Sequence, residues 1–221
     1  MNEKEDKNKD LGVKDLATEA AINALIPDEQ FPCKNEDKAC TKRWLESQSD
    51  CAWYMAIETV YLAGGCYWGL EDLISKIPGV IETTVGFSGG HVKNVSYREV
   101  TTGTTGHAET VKVVFDSDIL TFSDLLLFFF KIHDPTTLNQ QGNDMGTQYR
   151  SAIFATTDEQ ILLAEDLIKK IDLSGVLKRK ITTEVNTFSS FYPAEENHQK
   201  YLQKYPDGYS CHFLRDINFV I

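Results

Sequence analysis

A single cysteine stands among glycines in the stretch ETVYLAGGCYWGLEDLI, which begins at residue 58. Cys66 follows a β-branched segment and precedes an amphipathic one, so we expect its thiol where a strand ends and a helix begins. Free backbone N–H groups at a helix N-terminus stabilise an anion such as a thiolate. Because glycines permit a sharp turn and close packing there, we interpret Cys66 as a reactive thiol whose pKa lies below its usual value of about 8.5. The alternative is a buried structural cysteine.

Two aromatic residues, Tyr67 and Trp68, follow the cysteine directly. Such residues usually belong to a hydrophobic core. Beside a reactive thiol they would instead form the wall of a shallow apolar pocket that accepts a methyl or another small group.

Two distant stretches offer polar partners for the thiol. Glu109 begins a predicted strand after the glycine-bracketed turn of SYREVTTGTTGHAETV. Such a residue is either a solvated charge or a buried carboxyl with a raised pKa that acts as an acid. The segment HDPTTLNQQGNDMGTQYRS is long and polar, as functional loops often are, and it contains Asp144 and Tyr149. An ordinary surface loop is the alternative.

The elements that must position these residues follow from hydrophobic periodicity. From Met55 onward strands and helices are interspersed, which indicates mixed α/β structure and fits either an α+β sandwich or a parallel doubly wound sheet. The pattern predicts strands over 58–63, 80–90, 107–116, 149–156 and 180–186, and helices over 69–77, 121–133, 157–171 and 194–205.

The first part of the chain has a different composition. Residues 1–54 are rich in Lys, Glu and Asp and carry three of the five cysteines, namely Cys33, Cys40 and Cys51. We interpret this part as an extension folded loosely onto a catalytic domain of residues 55–221, with an independent domain as the alternative. Cys33 and Cys40 would pair only in an oxidising compartment.

Composition also limits the partners. A net charge of -11 argues against nucleic acid and anionic membranes. The chain has no apolar run of about 20 residues and no dinucleotide or P-loop fingerprint, so we expect no membrane span and no nucleotide, flavin or metal cofactor. We expect a monomer in the cytoplasm. The alternative location is extracytoplasmic, with a leader that this sequence lacks.

Three motifs together resemble one known family. GGCYWG, YREVTTGTTGHAE and HDPTTLNQQGNDMGTQYRSAIF occur in the order typical of the peptide methionine sulfoxide reductase A family, over Met55 to the C-terminus. The resemblance implies an α+β, two-layer α/β sandwich with a mixed sheet and a ferredoxin-like core. It also implies reduction of the S-epimer of methionine sulfoxide, free or in oxidised proteins, without a cofactor.

The resemblance assigns a role to each residue of the site. Cys66 matches the nucleophile that attacks the sulfoxide sulfur and becomes a sulfenic acid, and Glu109 matches the acid that protonates the sulfoxide oxygen. Tyr97 and Tyr149 match tyrosines that hydrogen-bond that oxygen.

Three further residues match the substrate pocket. Tyr67 and Trp68 match the aromatic wall that holds the substrate methyl group, and Tyr67 stands where the family usually has Phe. Asp144 matches a carboxylate on the polar side of the site.

The match is weaker at the cysteine that would regenerate the nucleophile. In PDGYSCHFLRD, Cys211 lies one residue later than in the commonest Gly-Tyr-Cys form. We expect Cys211 to form a disulfide with Cys66 that thioredoxin then reduces. In one alternative Cys211 is structural, and thioredoxin or another thiol attacks the sulfenic acid directly. In the other, Cys51 forms the disulfide.

Two other functions stay open at this point. A cysteine hydrolase would pair Cys66 with His107, His133 or His198. A redox-sensing or binding module would instead recognise a partner through the cysteine-bearing extension.

Overall fold

The computed structural model describes residues 56–219. The predicted extension and its cysteines Cys33, Cys40 and Cys51 lie outside the described residues. In the described part, no helix combines the length and the apolar character needed to cross a membrane.

The described chain folds into strands and helices that agree in order with most of the predicted ones. Their bounds are β1 (Ile57–Gly64), α1 (Tyr67–Ile74), β2 (Val80–Ser88), α2 (Tyr97–Val100), β3 (Ala108–Asp116), α3 (Phe122–Ile132), β4 (Gln140–Gln141), β5 (Asp144–Met145), β6 (Ser151–Ala155), α4 (Asp158–Ser174), β7 (Glu184–Thr187), β8 (Phe191–Pro193) and α5 (Tyr201–Lys204). A 3₁₀ turn over Thr147–Tyr149 precedes β6.

One six-stranded sheet organises the fold, in the order β7-β6-β1-β3-β2-β8. All neighbouring strands are antiparallel except β6 and β7, which are parallel. The four central strands, with α1 and α3 as crossovers, form two interlocked β-α-β units, the arrangement of ferredoxin-like folds. The predicted α+β fold with a mixed sheet is therefore confirmed, the doubly wound alternative is wrong, and β7 and β8 extend the ferredoxin-like core.

The helices cover one face of the sheet. Val111, Val113 and Phe115 alternate along β3 onto that face and are fully buried, as the sequence pattern predicts. They belong to one apolar cluster with residues of α1, α3 and α4. A smaller apolar cluster covers the opposite face of the sheet. In it, the Phe188 ring stacks on the Tyr61 ring with 4.0 Å between the centroids. The result is a two-layer domain.

Helix starts follow the polar residues that the sequence offers. The Thr121 side chain accepts a hydrogen bond from the backbone N–H of Asp124 at the start of α3. Thr157 accepts one from Gln160 at the start of α4 in the same way. Each bond satisfies an N–H that the helix itself leaves unpaired.

The C-terminal region departs from prediction. The helix predicted over 194–205 is wrong for most of its length, because only Tyr201–Lys204 is helical. The Gln199 side chain instead pairs with the edge of β2, accepting from the Val85 N–H and donating to the Val85 C=O, both at 2.8 Å. Lys200 takes a left-handed conformation, with φ at 50°. These long-range hydrogen bonds outweigh the local helix propensity.

We predict that Gln199→Ala destabilises the domain by about 1–3 kcal/mol, because it removes the hydrogen-bond partner of the Val85 N–H. Urea denaturation measures the change. Gln203→Ala, at an exposed position of α5, is the matched control and should stay within about 0.5 kcal/mol of wild type. Equal effects of the two substitutions would contradict this account.

Candidate active site

The ends of three strands bring the chemically active residues together. Strand β1 runs antiparallel to both of its neighbours, with Leu62 opposite Val111 of β3 and Gly64 opposite Ser151 of β6. The carboxyl end of β1 therefore lies beside the amino ends of β3 and β6. Cys66 follows β1 and Glu109 lies near the start of β3, so the register places them at the same edge of the sheet.

A cavity of about 120 Å³ lies at this edge. It is lined by Cys66, Tyr67, Trp68, Tyr97, Glu109, Asp144, Tyr149 and Tyr209. Its volume suits the end of one side chain rather than a whole cofactor. Of the eight predicted site residues, the structure brings seven together here. The eighth, Cys211, is not part of the lining, but it lies close enough to Cys66 for its charge to raise the pKa of the Cys66 thiol.

The Cys66 thiol is less acidic than predicted. Cys66 caps the N-terminus of α1 and is 7% exposed. Burial raises its pKa above the ordinary thiol value, and the charge of a nearby Glu109 carboxylate raises it further. The backbone N–H of Trp68 lowers the pKa by less than these effects raise it. The predicted low pKa is therefore wrong, since within residues 56–219 no Lys, Arg or His lines the cavity to stabilise a thiolate.

Glu109 is a buried acid. It is 1% exposed and lies in the row of β3 that faces the helices, two residues before Val111. Burial raises the pKa of its carboxyl to about 8, although the Tyr67 backbone N–H donates to Oε2 at 3.2 Å. The charge of Asp144 raises it further. Glu109 is thus mostly protonated at neutral pH and can donate a proton into the cavity.

Phenolic hydroxyls complete the polar side of the cavity. Burial raises the pKa of Tyr97 to about 12 and that of Tyr149 above its ordinary value, so both keep their protons. The hydroxyl of Tyr209, a residue not predicted for the site, donates to Asp144 at 3.1 Å. Its place two residues before Cys211 is the signal that could have identified it. Neutral O–H donors in a cavity without cations suit an uncharged substrate with a strongly polar oxygen.

Stacked rings hold the aromatic wall in place. The Trp68 ring stacks on Tyr201 with centroids 3.9 Å apart. Tyr67 is fully buried, and its hydroxyl lies 3.0 Å from His198 Nδ1. The His198 ring in turn contacts Tyr97, with centroids 4.4 Å apart. His198 and Tyr201 thus support the wall from behind, a role that sequence reasoning did not assign to either residue.

Glycines beside the nucleophile make room for the C-terminal segment. A Cβ on Gly69 would overlap Ser210 Oγ and would approach His212 Nδ1 to 2.8 Å. Gly65 has φ at 103°, and a Cβ there would lie 2.6 Å from the Gln141 side chain. The glycines predicted to favour a reactive thiol therefore also seat the segment that carries Cys211.

The histidines of the hydrolase alternative lie elsewhere. Nitrogens of His107 and His133 contact backbone carbonyl oxygens at 2.7 and 2.6 Å, and His198 bonds the Tyr67 hydroxyl. Among the residues that the structure describes, none of the three histidines lines the cavity that contains Cys66. A cysteine hydrolase is therefore not supported.

A larger and more open groove of about 530 Å³ lies between α4 and β7. Its lining mixes charged residues such as Lys169 and Asp172 with aliphatic ones. Its lining, among the described residues, has no cysteine, histidine or tyrosine, so the smaller cavity is the stronger candidate for the active site. Between residues 56 and 219, no three His, Cys, Asp or Glu side chains are arranged to hold a metal ion.

The fold and the cavity define a thiol-dependent oxidoreductase. Residues 58–218 match the family model described as peptide methionine sulfoxide reductase. A relative from Mesorhizobium japonicum, peptide methionine sulfoxide reductase MsrA 1, is 52% identical over 158 residues, which cover 72% of this chain and 90% of the relative.

Solved structures agree with the sequence match. Reduced Mxr1 from Saccharomyces cerevisiae is 38% identical, covers 72% of this chain and 93% of its own, and superposes with a TM-score of 0.69. A structure of Mxr1 in complex with Trx2, 24% identical with a TM-score of 0.50 over 72% of this chain and 91% of its own, supports the fold. The chain belongs to the peptide methionine sulfoxide reductase A family. It is an enzyme that reduces the S-epimer of methionine sulfoxide and so repairs oxidised proteins.

We predict that Glu109→Gln stabilises the domain at alkaline pH. The wild-type carboxyl holds its proton up to about pH 8 when folded and releases it near pH 4.5 when unfolded. The free energy of unfolding of wild type therefore falls as the pH rises through this window. The side-chain amide of the variant does not titrate, so the variant does not show this fall. Thermal melts should be recorded for both proteins at about pH 5 and about pH 9. The melting temperature of Glu109→Gln minus that of wild type should be larger at the higher pH. For the exposed control Glu159→Gln, this difference should be constant.

Proposed function

We propose that reduction takes place in the cavity at the end of β1, with Cys66 as the nucleophile and Glu109 as the proton donor. The observation that carries this proposal is the placement of a buried carboxyl, whose pKa is raised to about 8, in the same small cavity as the cysteine. A sulfoxide oxygen leaves sulfur only when it is protonated, so a thiol alone is ineffective. A protonated carboxyl supplies what the thiol lacks.

The polar groups of the cavity suit the sulfoxide oxygen. Glu109, Tyr97 and Tyr149 are all O–H donors, and they stabilise the negative charge on that oxygen as the Cys66 sulfur attacks the substrate sulfur. Overall, the oxygen moves to the Cys66 sulfur. The substrate sulfur gains two electrons and leaves as methionine, and the cysteine becomes a sulfenic acid whose oxygen carries the proton that Glu109 donated, while the thiol proton passes to Glu109.

The raised pKa of the Cys66 thiol fits this order of events. The resting thiol is protonated, and its proton must leave as the sulfur attacks. When the substrate oxygen takes the proton of Glu109, a carboxylate remains. This carboxylate can receive the proton of the Cys66 thiol, so Glu109 serves in both proton transfers. The enzyme therefore needs no permanent thiolate.

The aromatic wall fixes the stereochemistry. With the sulfoxide oxygen against the hydroxyl groups, the methyl group packs against Tyr67 and Trp68, and the rest of the substrate extends toward solvent. Three substituents of a chiral sulfur are then fixed relative to the attacking thiol. Only one epimer presents its sulfur correctly in this geometry.

We assign regeneration to Cys211 and thioredoxin. Cys211 lies close enough to Cys66 to raise the pKa of that thiol and is partly exposed, so its sulfur can reach the sulfenic acid and a protein reductant can reach the disulfide. The related yeast Mxr1 forms a complex with Trx2, which supports thioredoxin as the partner. Cys51 lies outside the described residues and stays the alternative. The monomeric state and the cytoplasmic location also stay predictions.

The decisive experiment compares the two epimers of methionine sulfoxide. Wild type should reduce the S-epimer, with a single-turnover rate that falls as the pH rises through about 8 and Glu109 loses its proton. Glu109→Gln should slow this rate by about 10²-fold to 10⁴-fold and remove the alkaline fall. Glu159→Gln should match wild type. Equal use of both epimers by wild type, or a fully active Glu109→Gln variant, would refute the assignment.

We predict that Cys211→Ser separates oxidation of Cys66 from its regeneration. The variant should release one equivalent of methionine and then stop with thioredoxin as reductant, while dithiothreitol sustains turnover by attacking the sulfenic acid directly. Cys51→Ser is the matched control and should turn over with thioredoxin as wild type does. Peptide mapping after one turnover of wild type should find a Cys66–Cys211 disulfide, and a Cys66–Cys51 disulfide would contradict the assignment.

A further inference from the structure

The imidazole next to Cys211 has a defined tautomer. His212 Nε2 lies 2.8 Å from the Gly64 carbonyl oxygen, which can only accept a hydrogen bond. Nε2 therefore carries the hydrogen, and in a neutral ring Nδ1 is a bare acceptor. His212 Nδ1 lies 3.4 Å from Cys211 Sγ. The thiol is thus the donor and the imidazole the acceptor.

His212 is fixed relative to the nucleophile. Its ring is 8% exposed, and Gly64, to which it bonds, is only two residues from Cys66. The missing side chain of Gly69 leaves the space that the ring occupies. Ser210 Oγ accepts from the His212 backbone N–H at 3.2 Å and fixes the turn. The base, the second thiol and the first thiol are therefore held together by the same local packing.

The groups around Cys211 favour His212 over Asp144 as the base that takes the thiol proton. Asp144 of β5 lies near both Cys211 and His212, and His133, directly after α3, is the imidazole whose pKa the charge of His212 lowers. Burial lowers the pKa of His212, so the ring is neutral and can accept a proton at pH 7. Asp144 already accepts the Tyr209 hydroxyl, and a carboxylate is a much weaker base toward a thiol than an imidazole is.

We propose that His212 is the general base of the second half-reaction, in which Cys211 attacks the Cys66 sulfenic acid. This inference rests on the function proposed above. Nδ1 takes the Cys211 proton as the S–S bond forms and the S–O bond of Cys66 breaks. The oxygen leaves as water with the proton that Nδ1 then returns. The Cys66 sulfur is reduced, the Cys211 sulfur is oxidised, and no further reactant is needed.

The test follows the two half-reactions separately. Enzyme is mixed with S-methionine sulfoxide without reductant and quenched at intervals. Released methionine reports the first step, and loss of free thiols reports the second. His212→Gln keeps an N–H for the Gly64 carbonyl but has no nitrogen that accepts a proton. It should slow disulfide formation by about 10²-fold relative to wild type and leave the first step within about threefold.

Two comparisons identify the base. Ser210→Ala disturbs the same turn without removing a proton acceptor, so any slowing of disulfide formation that it causes should leave the acid-side fall of the pH profile in place. The wild-type rate of disulfide formation should fall on the acid side, below about pH 6.5, as His212 becomes protonated. The His212→Gln variant should lack this fall.

Several outcomes would overturn the inference. The inference is wrong if His212→Gln forms the disulfide at the wild-type rate. If Asp144→Asn slows disulfide formation while His212→Gln does not, Asp144 is the base. If the variant does not fold, the wild-type pH profile decides, and a rate of disulfide formation with no acid-side fall over the whole pH range in which the enzyme stays folded overturns the assignment to His212. A wild-type enzyme that forms no Cys66–Cys211 disulfide would instead refute the assignment of Cys211 itself.

Discussion

The site depends on the register of one strand. Because β1 is antiparallel to both β3 and β6, its carboxyl end meets two strand beginnings, and residues far apart in sequence share one edge of the sheet. A slip of one residue between β1 and β3 would turn Glu109 to the opposite face, away from the N-terminus of α1. The buried valines that follow Glu109 along β3 hold the register, so the hydrophobic core and the acid are positioned by the same alternation.

The electrostatics of the cavity give the enzyme its selectivity. With two carboxyls and no cation among the described lining residues, the cavity disfavours a resting thiolate and any anionic substrate. A buried protonated thiol reacts slowly with adventitious oxidants and electrophiles. A sulfoxide brings a basic oxygen to the protonated carboxyl and so creates the proton acceptor that the thiol needs. In the mechanism proposed above, the substrate thus activates the nucleophile that reduces it.

Local sequence patterns predicted most helices and strands and most residues of the candidate site. They failed where contacts between distant parts of the chain determine a pKa or a backbone conformation. The alternation of β3 and the periodicity of α3 and α4 are local, and these elements were predicted correctly. The pKa of Cys66 depends on burial and on Glu109, neither of which the glycine motif contains. The helix predicted near Gln199 is wrong because that side chain pairs with a strand more than a hundred residues away.

Gly69 has a consequence for how the sequence can vary. The segment after α5 has no helix or strand within the described residues. It is positioned by the gap that this glycine leaves in α1, by the His212 hydrogen bond to the Gly64 carbonyl and by hydrogen bonds from Arg215 to carbonyls at the end of α3. A segment held by a few separate contacts has no strand ladder whose register must be kept. It tolerates an inserted residue, such as the serine between Tyr209 and Cys211, without shifting the sheet. The part of the chain that carries Cys211 can therefore change in sequence without altering the part that forms the cavity.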